Sequence, residues 1–171
     1  TNGVWNPEKL LSVNQHWIKV SDHKELSRIV LPYLREMGVE GACVDPKLEG
    51  AVKAFSTRTK TLVEMAQSIK PYYARWVTLD AAAAAKHLDA SGKGMLMHAK
   101  AKLLALPEWS GPAIDPIDDA IAAETGAKKG AIAQPLRVAV TGGTTSPGIG
   151  DTLALLGRDE TMLRIDAALG T

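Results

Sequence analysis

A capping residue followed by proline recurs along the chain, at Asn6-Pro7, Asp45-Pro46, Asp115-Pro116, Gln134-Pro135 and Ser146-Pro147. Such pairs suit helix starts: the capping side chain satisfies a free N–H, and proline lacks the N–H that a first turn cannot use. The sequence after each start reads as a helix. Leu10, Leu11, Asn14, Trp17 and Ile18 keep three- and four-residue steps to about Val20. Ser21-Asp22 caps a second helix with Leu26, Ile29, Val30, Tyr33 and Met37 on one face, ended by Gly38. After Asp45-Pro46, Leu48, Val52, Phe55, Thr59, Leu62, Ala66 and Ile69 form the clearest stripe in the chain, which predicts one long helix up to Pro71. Tyr72, Tyr73 and Trp76 follow as a short helix or turn.

The second half continues the pattern. Asp80 caps an alanine-rich helix, Ser91-Gly92 opens another through Leu106, and residues 108–112 are a connection. Asp115-Pro116 starts a helix ended by Gly126, and Asp159 caps a last helix with Met162, Leu163, Ile165 and Leu169. Clean apolar–polar alternation is confined to residues 134–150. There, Leu136 to Val140 is either a strand entering a glycine loop or a short helix over 135–141 capped by Gln134. An isolated strand in a helical chain would leave its backbone groups unpaired. The helical reading therefore gains weight, with Ser146-Pro147 opening the next helix and Gly157 closing it. The fold class is all-α, a bundle of two packed helical subdomains over residues 1–76 and 77–171.

Net charge is about +1, with 46% apolar and 23% charged residues, as in an ordinary globular protein. The distribution is uneven. Residues 47–75 hold six basic and two acidic side chains, a net of +4; residues 107–171 hold five basic and nine acidic ones, a net of −4. The single Cys43 has no internal partner for a disulfide or a zinc site, which fits a reducing, cytoplasmic setting. No apolar run approaches the roughly 18 residues of a membrane span, and no leader pattern is visible. The start Thr1-Asn2-Gly3, with no Met, suggests a piece of a longer protein.

Catalytic motifs are absent. The four histidines have no metal-ligand spacing, and no nucleophile elbow or Walker loop occurs. The run from Thr141 to Gly150 superficially resembles the phosphate loop of short-chain dehydrogenases, but that pattern needs a glycine where Ser146 stands. It also needs an acidic residue roughly 20 residues on, in a strand–helix–strand unit. Arg58, read on the flank of the long helix, is either a solvated arginine or a base reader, since its guanidinium offers a fixed fork of donors. Arg137 is either a surface ion-pair partner or a ligand contact. Ser146 is a helix cap whose neighbouring N–H groups suit phosphate or base acceptors. The aromatics Trp5, Trp17, Tyr33, Tyr72, Tyr73, Trp76 and Trp109 fall mostly on apolar faces, so core packing is expected, with base stacking open to one or two.

Four stretches, in order, resemble the C-terminal anticodon-binding region of bacterial glutamyl-tRNA synthetases. They are Trp5-Asn6-Pro7-Glu8-Lys9-Leu10-Leu11 through Ile18, Thr59-Lys60-Thr61-Leu62 through Ser68, Gln134-Pro135-Leu136-Arg137-Val138-Ala139-Val140-Thr141-Gly142, and Ser146-Pro147 through Leu169. The resemblance runs the length of the chain, and the Pro-Leu-Arg-Val-Ala run is its most specific part. It implies a helical cage that holds the anticodon arm of tRNA(Glu). Arg58 maps to an arginine associated with reading the third anticodon base, although Ala54-Phe55-Ser56-Thr57 departs from the charged sequence common before it. Arg137, Ser146, Pro147 and Ile149 map to positions that touch the anticodon. Lys53, Lys60 and Lys70 would neutralise backbone phosphates. The class I motifs His-x-Gly-His and Lys-Met-Ser-Lys-Ser are missing, so the resemblance implies no catalysis by this region. It implies instead a monomer with a separate N-terminal catalytic domain in the same chain, which uses ATP and Mg. A stand-alone helical protein-interaction module is the alternative.

Overall fold

A computed structural model describes residues 6–75 and 77–170. Every regular element among them is a helix, and no strand occurs. Trp5 and Trp76 lie outside the described residues. The chain divides into two compact units, Thr1–Ala74 and Arg75–Thr171.

The first unit holds α1 (Pro7–Val20), α2 (His23–Glu36), α3 (Pro46–Phe55), α4 (Leu62–Ile69) and a 3-10 turn (Lys70–Tyr72). The predicted starts are present. Asn6 Oδ1 accepts from the N–H groups of Glu8 and Lys9. Asp22 Oδ1 accepts from Glu25 and Asp45 Oδ1 from Leu48. The core is built by α2 against α3 and α4, with Val30, Leu34, Leu48, Val52, Met65 and Ile69 fully enclosed. Each such side chain contributes about 1.5–3 kcal/mol of apolar burial. Tyr72 closes the core edge-on against Phe55, with ring centroids 5.8 Å apart. Ile29, expected on the apolar face of α2, is exposed, as is Trp17 on α1.

The stripe from Leu48 to Ile69 is not one helix. It breaks over residues 56–61. The cause is a run of hydroxyls that bond the backbone locally: Ser56 Oγ donates to Lys53 O and Thr59 Oγ1 to Phe55 O. Thr61 then starts α4 with a variant of the capping box, in which the carboxylate reaches one residue further back. Its Oγ1 accepts from Glu64 N, while Glu64 Oε2 accepts from Lys60 N at 2.8 Å. The turn keeps the apolar face in phase, so Thr59 is buried like Phe55 before it and Ala66 after it. Thr61→Ala is expected to cost about 1 kcal/mol of stability, measured as a lower urea midpoint; an unchanged midpoint would show that the cap is dispensable.

The second unit holds α5 (Ala81–His87), α6 (Ala90–Leu104), α7 (Gly111–Ile114), α8 (Pro116–Thr125), α9 (Lys129–Thr141), α10 (Ile149–Leu156) and α11 (Arg158–Leu169). α9 is its axis, with α5, α6, α8 and α11 against it. Ile132, Leu136, Val138, Ala139 and Val140 are buried on it. Leu136 to Val140 is therefore helical, and the nucleotide-loop reading is excluded by the missing strand.

Several boundaries move. α9 begins at Lys129, so Pro135 lies inside it and Gln134 is no cap. Pro135 removes one helical N–H, and its ring is buried on α9. Asp89 caps α6, accepting from Gly92 N at 2.7 Å, where Ser91 was expected to open the helix. Gly157 precedes α11, and Asp159 lies in its first turn. The stretch read as a connection, residues 108–112, runs into α7. Gly126, Gly142, Gly157 and Gly170 occupy the left-handed region at helix ends.

Arg164 ties α11 to α9. It is almost fully buried, with Nε on Glu160 Oε1 and Nη1 on Val140 O, each at 2.6 Å. A buried guanidinium with both a carboxylate and a carbonyl partner avoids the cost of an isolated charge.

A candidate nucleic-acid interface

In the first unit, Arg58 stands in the turn between α3 and α4, not on a helix. Its N–H donates to Phe55 O at 2.9 Å, which fixes the backbone while the side chain stays exposed. Among the described residues, no ion pair involves its guanidinium. Lys53, in the last turn of α3, and Lys60, before α4, are also exposed. Lys60 is held at its backbone from both sides, by Glu64 and by Asn14 Nδ2 on its carbonyl at 2.5 Å. Lys70 is exposed at the start of the 3-10 turn. The break in the stripe thus lifts a short basic segment off the helical surface. Exposed cations of this kind suit phosphate neutralisation.

In the second unit, α9, a loop over 142–148 and α10 form a corner. α9 ends because Gly142 adopts φ +84°, with its N–H on Val138 O. Gly142 O accepts from Asp80 N at 2.8 Å, and Asp80 in turn caps α5. A Cβ at Gly142 would stand 2.4 Å from Thr78 O, so no other residue fits there. Thr141 Oγ1 donates back to Arg137 O, holding the last turn of α9. On the far side, Gly150 N donates to Asp115 Oδ1, and a Cβ at Gly150 would lie 2.2 Å from that oxygen. Asp115 therefore spends its carboxylate on α10 and makes no side-chain cap on α8.

Arg137 sits in this corner, half-buried. Its Nε donates to Ser146 Oγ at 2.8 Å. The same hydroxyl accepts from Thr152 Oγ1 at 3.2 Å and donates to Pro147 O at 3.0 Å. Ser146 is therefore not the cap of α10; that position is Gly148. Its hydroxyl is saturated within the protein, and its role is to fix the arginine. A guanidinium has five N–H donors in a planar fork. Ser146 commits the Nε–H and leaves the terminal amino groups for an external acceptor. Pro147 and Ile149 are buried, so they shape the corner from beneath.

Two participants were not visible in the sequence. Asp118 on α8 faces Arg137. Burial raises its carboxyl above the usual range, the Arg137 charge opposes that rise, and Asp119 and Asp115 add to it. Gln134, one turn before Arg137 on α9, has a buried Oε1 with no hydrogen-bond partner among the described residues. An acceptor left in that state is costly until a donor arrives. Both depend on packing between helices, which no local pattern encodes.

The Asp118 shift has a stability consequence. A carboxyl whose folded pKa is raised binds its proton more tightly in the folded state. Stability is then lost as pH rises through that folded value. Asp118→Asn is expected to raise the urea midpoint at pH 7 and leave it unchanged at pH 3. A lower midpoint at pH 7 would mean that attraction to Arg137 outweighs desolvation.

No helix among the described residues is long and apolar enough to cross a membrane, and no metal-ligating cluster occurs among them.

Comparison with known proteins agrees with the fold. The model of the anticodon binding domain family matches residues 25–169. The glutamate–tRNA ligase of Myxococcus xanthus is 46% identical over 170 residues, covering 99% of this chain and 35% of that protein. That of Anaeromyxobacter sp. is 40% identical over 169 residues, again covering 99% and 35%. The chain thus spans about a third of the length of these relatives. Among solved structures, a glutamate–tRNA ligase from Elizabethkingia meningosepticum superposes with a TM-score of 0.85 at 20% identity, covering 97% of this chain and 32% of that one. The enzyme from Elizabethkingia anophelis gives 0.82 at 21% identity, covering 98% and 32%. With a family model spanning both sides of the Arg137 corner, the chain belongs to the anticodon binding domain family.

Proposed function

We propose that this chain recognises the anticodon arm of tRNA(Glu) as the RNA-binding part of a glutamate–tRNA ligase. The observation that carries the reading is the Arg137 fork, fixed at Nε by a saturated Ser146 hydroxyl in a chain of the anticodon binding domain family. Single-stranded anticodon bases can splay out and present their edges, and a pre-oriented fork of donors recognises such edges. Arg58, Lys53, Lys60 and Lys70 supply positive charge for phosphates, a term without sequence preference.

In this reading the region selects the tRNA, and activation of glutamate with ATP and Mg belongs to the catalytic part of the same ligase, in the cytoplasm. Binding energy gained at the anticodon helps commit the correct tRNA to that distant site. The test is a titration with tRNA(Glu) and with a transcript mutated in the anticodon, at a salt level that suppresses non-specific contacts. The chain is expected to bind tRNA(Glu) at least about 10-fold more tightly. Equal affinities would sink base reading and leave only phosphate binding.

A further inference from the structure

We infer that Asp118 is a specificity-determining residue of the Arg137 corner: its carboxylate, one helix away, keeps RNA phosphates off the arginine and so reserves the fork for the neutral edge of a base. The inference rests on the reading of Arg137 as an anticodon contact and deepens it.

An arginine that reads a base has a competitor. A phosphate carries a full charge, binds a guanidinium bidentately and recurs at every nucleotide. In the first unit, Lys53, Arg58 and Lys60 are exposed within one short segment, an arrangement that suits phosphates. In the second unit, other cations are spent inside the protein. Lys129 pairs with Asp119, Arg158 donates to Leu106 O over the Trp109 ring, and Arg164 is buried on Glu160 and Val140 O. Residues 107–171 carry a net −4. Arg137 thus works from the acidic part of the chain.

The start of α8 sets the opposing charge in place. Asp118 and Asp119 follow Asp115 at three and four residues, so the three share a side of the helix. Asp115 Oδ1 accepts from Gly150 N on α10, and Asp119 pairs with Lys129 at the start of α9. These contacts pin α8 against both helices of the corner, and Asp118 between them is half-buried. Its carboxylate makes no hydrogen bond or ion pair among the described residues. Burial raises its pKa, and Arg137 is the strongest of the charges acting on it. The carboxylate is therefore near enough to act on the guanidinium without occupying its terminal donors. A charge so placed opposes a phosphate, which brings a second anion, and is nearly indifferent to a base edge, which brings none.

The test is Asp118→Asn, titrated with tRNA(Glu) and with the anticodon-mutated transcript at pH 8, far above the usual carboxylate range, across about 50–200 mM salt. Affinity for the mutated transcript is expected to rise about 3- to 10-fold, and its salt dependence to steepen by about one phosphate contact. Affinity for tRNA(Glu) should rise less, so discrimination falls. Asp118→Glu keeps the charge and should behave as the unsubstituted chain. Asp159→Asn removes an equal charge beyond the far end of α10, about 12 Å of helix away, and should change neither affinity. Unchanged affinity for the mutated transcript in Asp118→Asn overturns the proposal. So does an equal rise in Asp159→Asn, which would make the effect one of net charge. A loss of tRNA(Glu) affinity alone also overturns it, by making Asp118 a direct base contact. Asp118→Ser repeats the measurement if Asp118→Asn does not fold. The ratio of affinities in the unsubstituted chain reports on base reading, and the mutated transcript alone reports on Asp118, so either reading can fail without the other.

Discussion

Arg137→Ala is expected to remove most of the discrimination between tRNA(Glu) and an anticodon-mutated transcript. The loss should be about 10- to 100-fold, the range for one well-placed donor fork on a base edge. Affinity for the mutated transcript should change little, because phosphate contacts carry that part. The fold should survive, since Arg137 is half-buried and its one bonded nitrogen faces a hydroxyl already partnered by Thr152. Arg137→Lys should not restore discrimination, because an ammonium lacks the planar fork that Ser146 orients. Ser146→Ala should give a smaller loss, since it removes the clamp and leaves the donors. Unchanged discrimination in Arg137→Ala, with salt dependence also unchanged, would remove Arg137 from the interface. Equal losses for both transcripts would make it a phosphate contact.

Gly142→Ala is expected to destabilise the second unit by about 3 kcal/mol, through a left-handed backbone and a steric clash together. For a unit of this size that lowers the thermal midpoint by on the order of 15 °C. The clash is with backbone: the added Cβ meets Thr78 O at 2.4 Å, on the segment that Gly142 O holds through Asp80 N. Moving it would break the link between the end of α9 and the start of α5. Gly143→Ala is the control. Gly143 has an ordinary φ and open space around its Cα, so its replacement should be nearly silent. Similar midpoints for the two variants would show that the loop can shift without cost.

The two substitutions separate the side chain proposed to contact RNA from the backbone that holds the shape of the Thr-Gly corner. Only one of these was legible from the residues. Arg137 could be singled out as a donor-bearing side chain beside a turn. Its surroundings could not, because Thr152 bonds the Ser146 hydroxyl from α10 and the Asp118 charge acts from α8. Ser146 illustrates the difference. As a hydroxyl before proline it reads as a cap, and a cap would leave it near a ligand. In the fold the helix starts later, at Ile149, and the hydroxyl turns inward to Arg137. Pro147 and Ile149 are buried at the same corner.

Arg58 shows the reverse. The apolar stripe from Leu48 to Ile69 masks a break, because a turn that preserves phase leaves periodicity intact. The capping box Thr61-x-x-Glu64 was present in the sequence and marks the restart of the helix. Read that way, it would have moved Arg58 off the helix and into the turn.

What the residues determined alone is the helical character of the chain and those helix starts that a local side-chain cap fixes. Asn6, Asp22, Asp45 and Asp80 cap from within three residues, and interactions that short do not depend on the rest of the fold. Where helices end or continue against local preference was decided by tertiary structure. Pro135 disfavours a helix interior, yet α9 runs through it because burial on several sides outweighs one missing hydrogen bond. The aim of Arg137 was decided in the same way, by helices that meet only once the unit is packed.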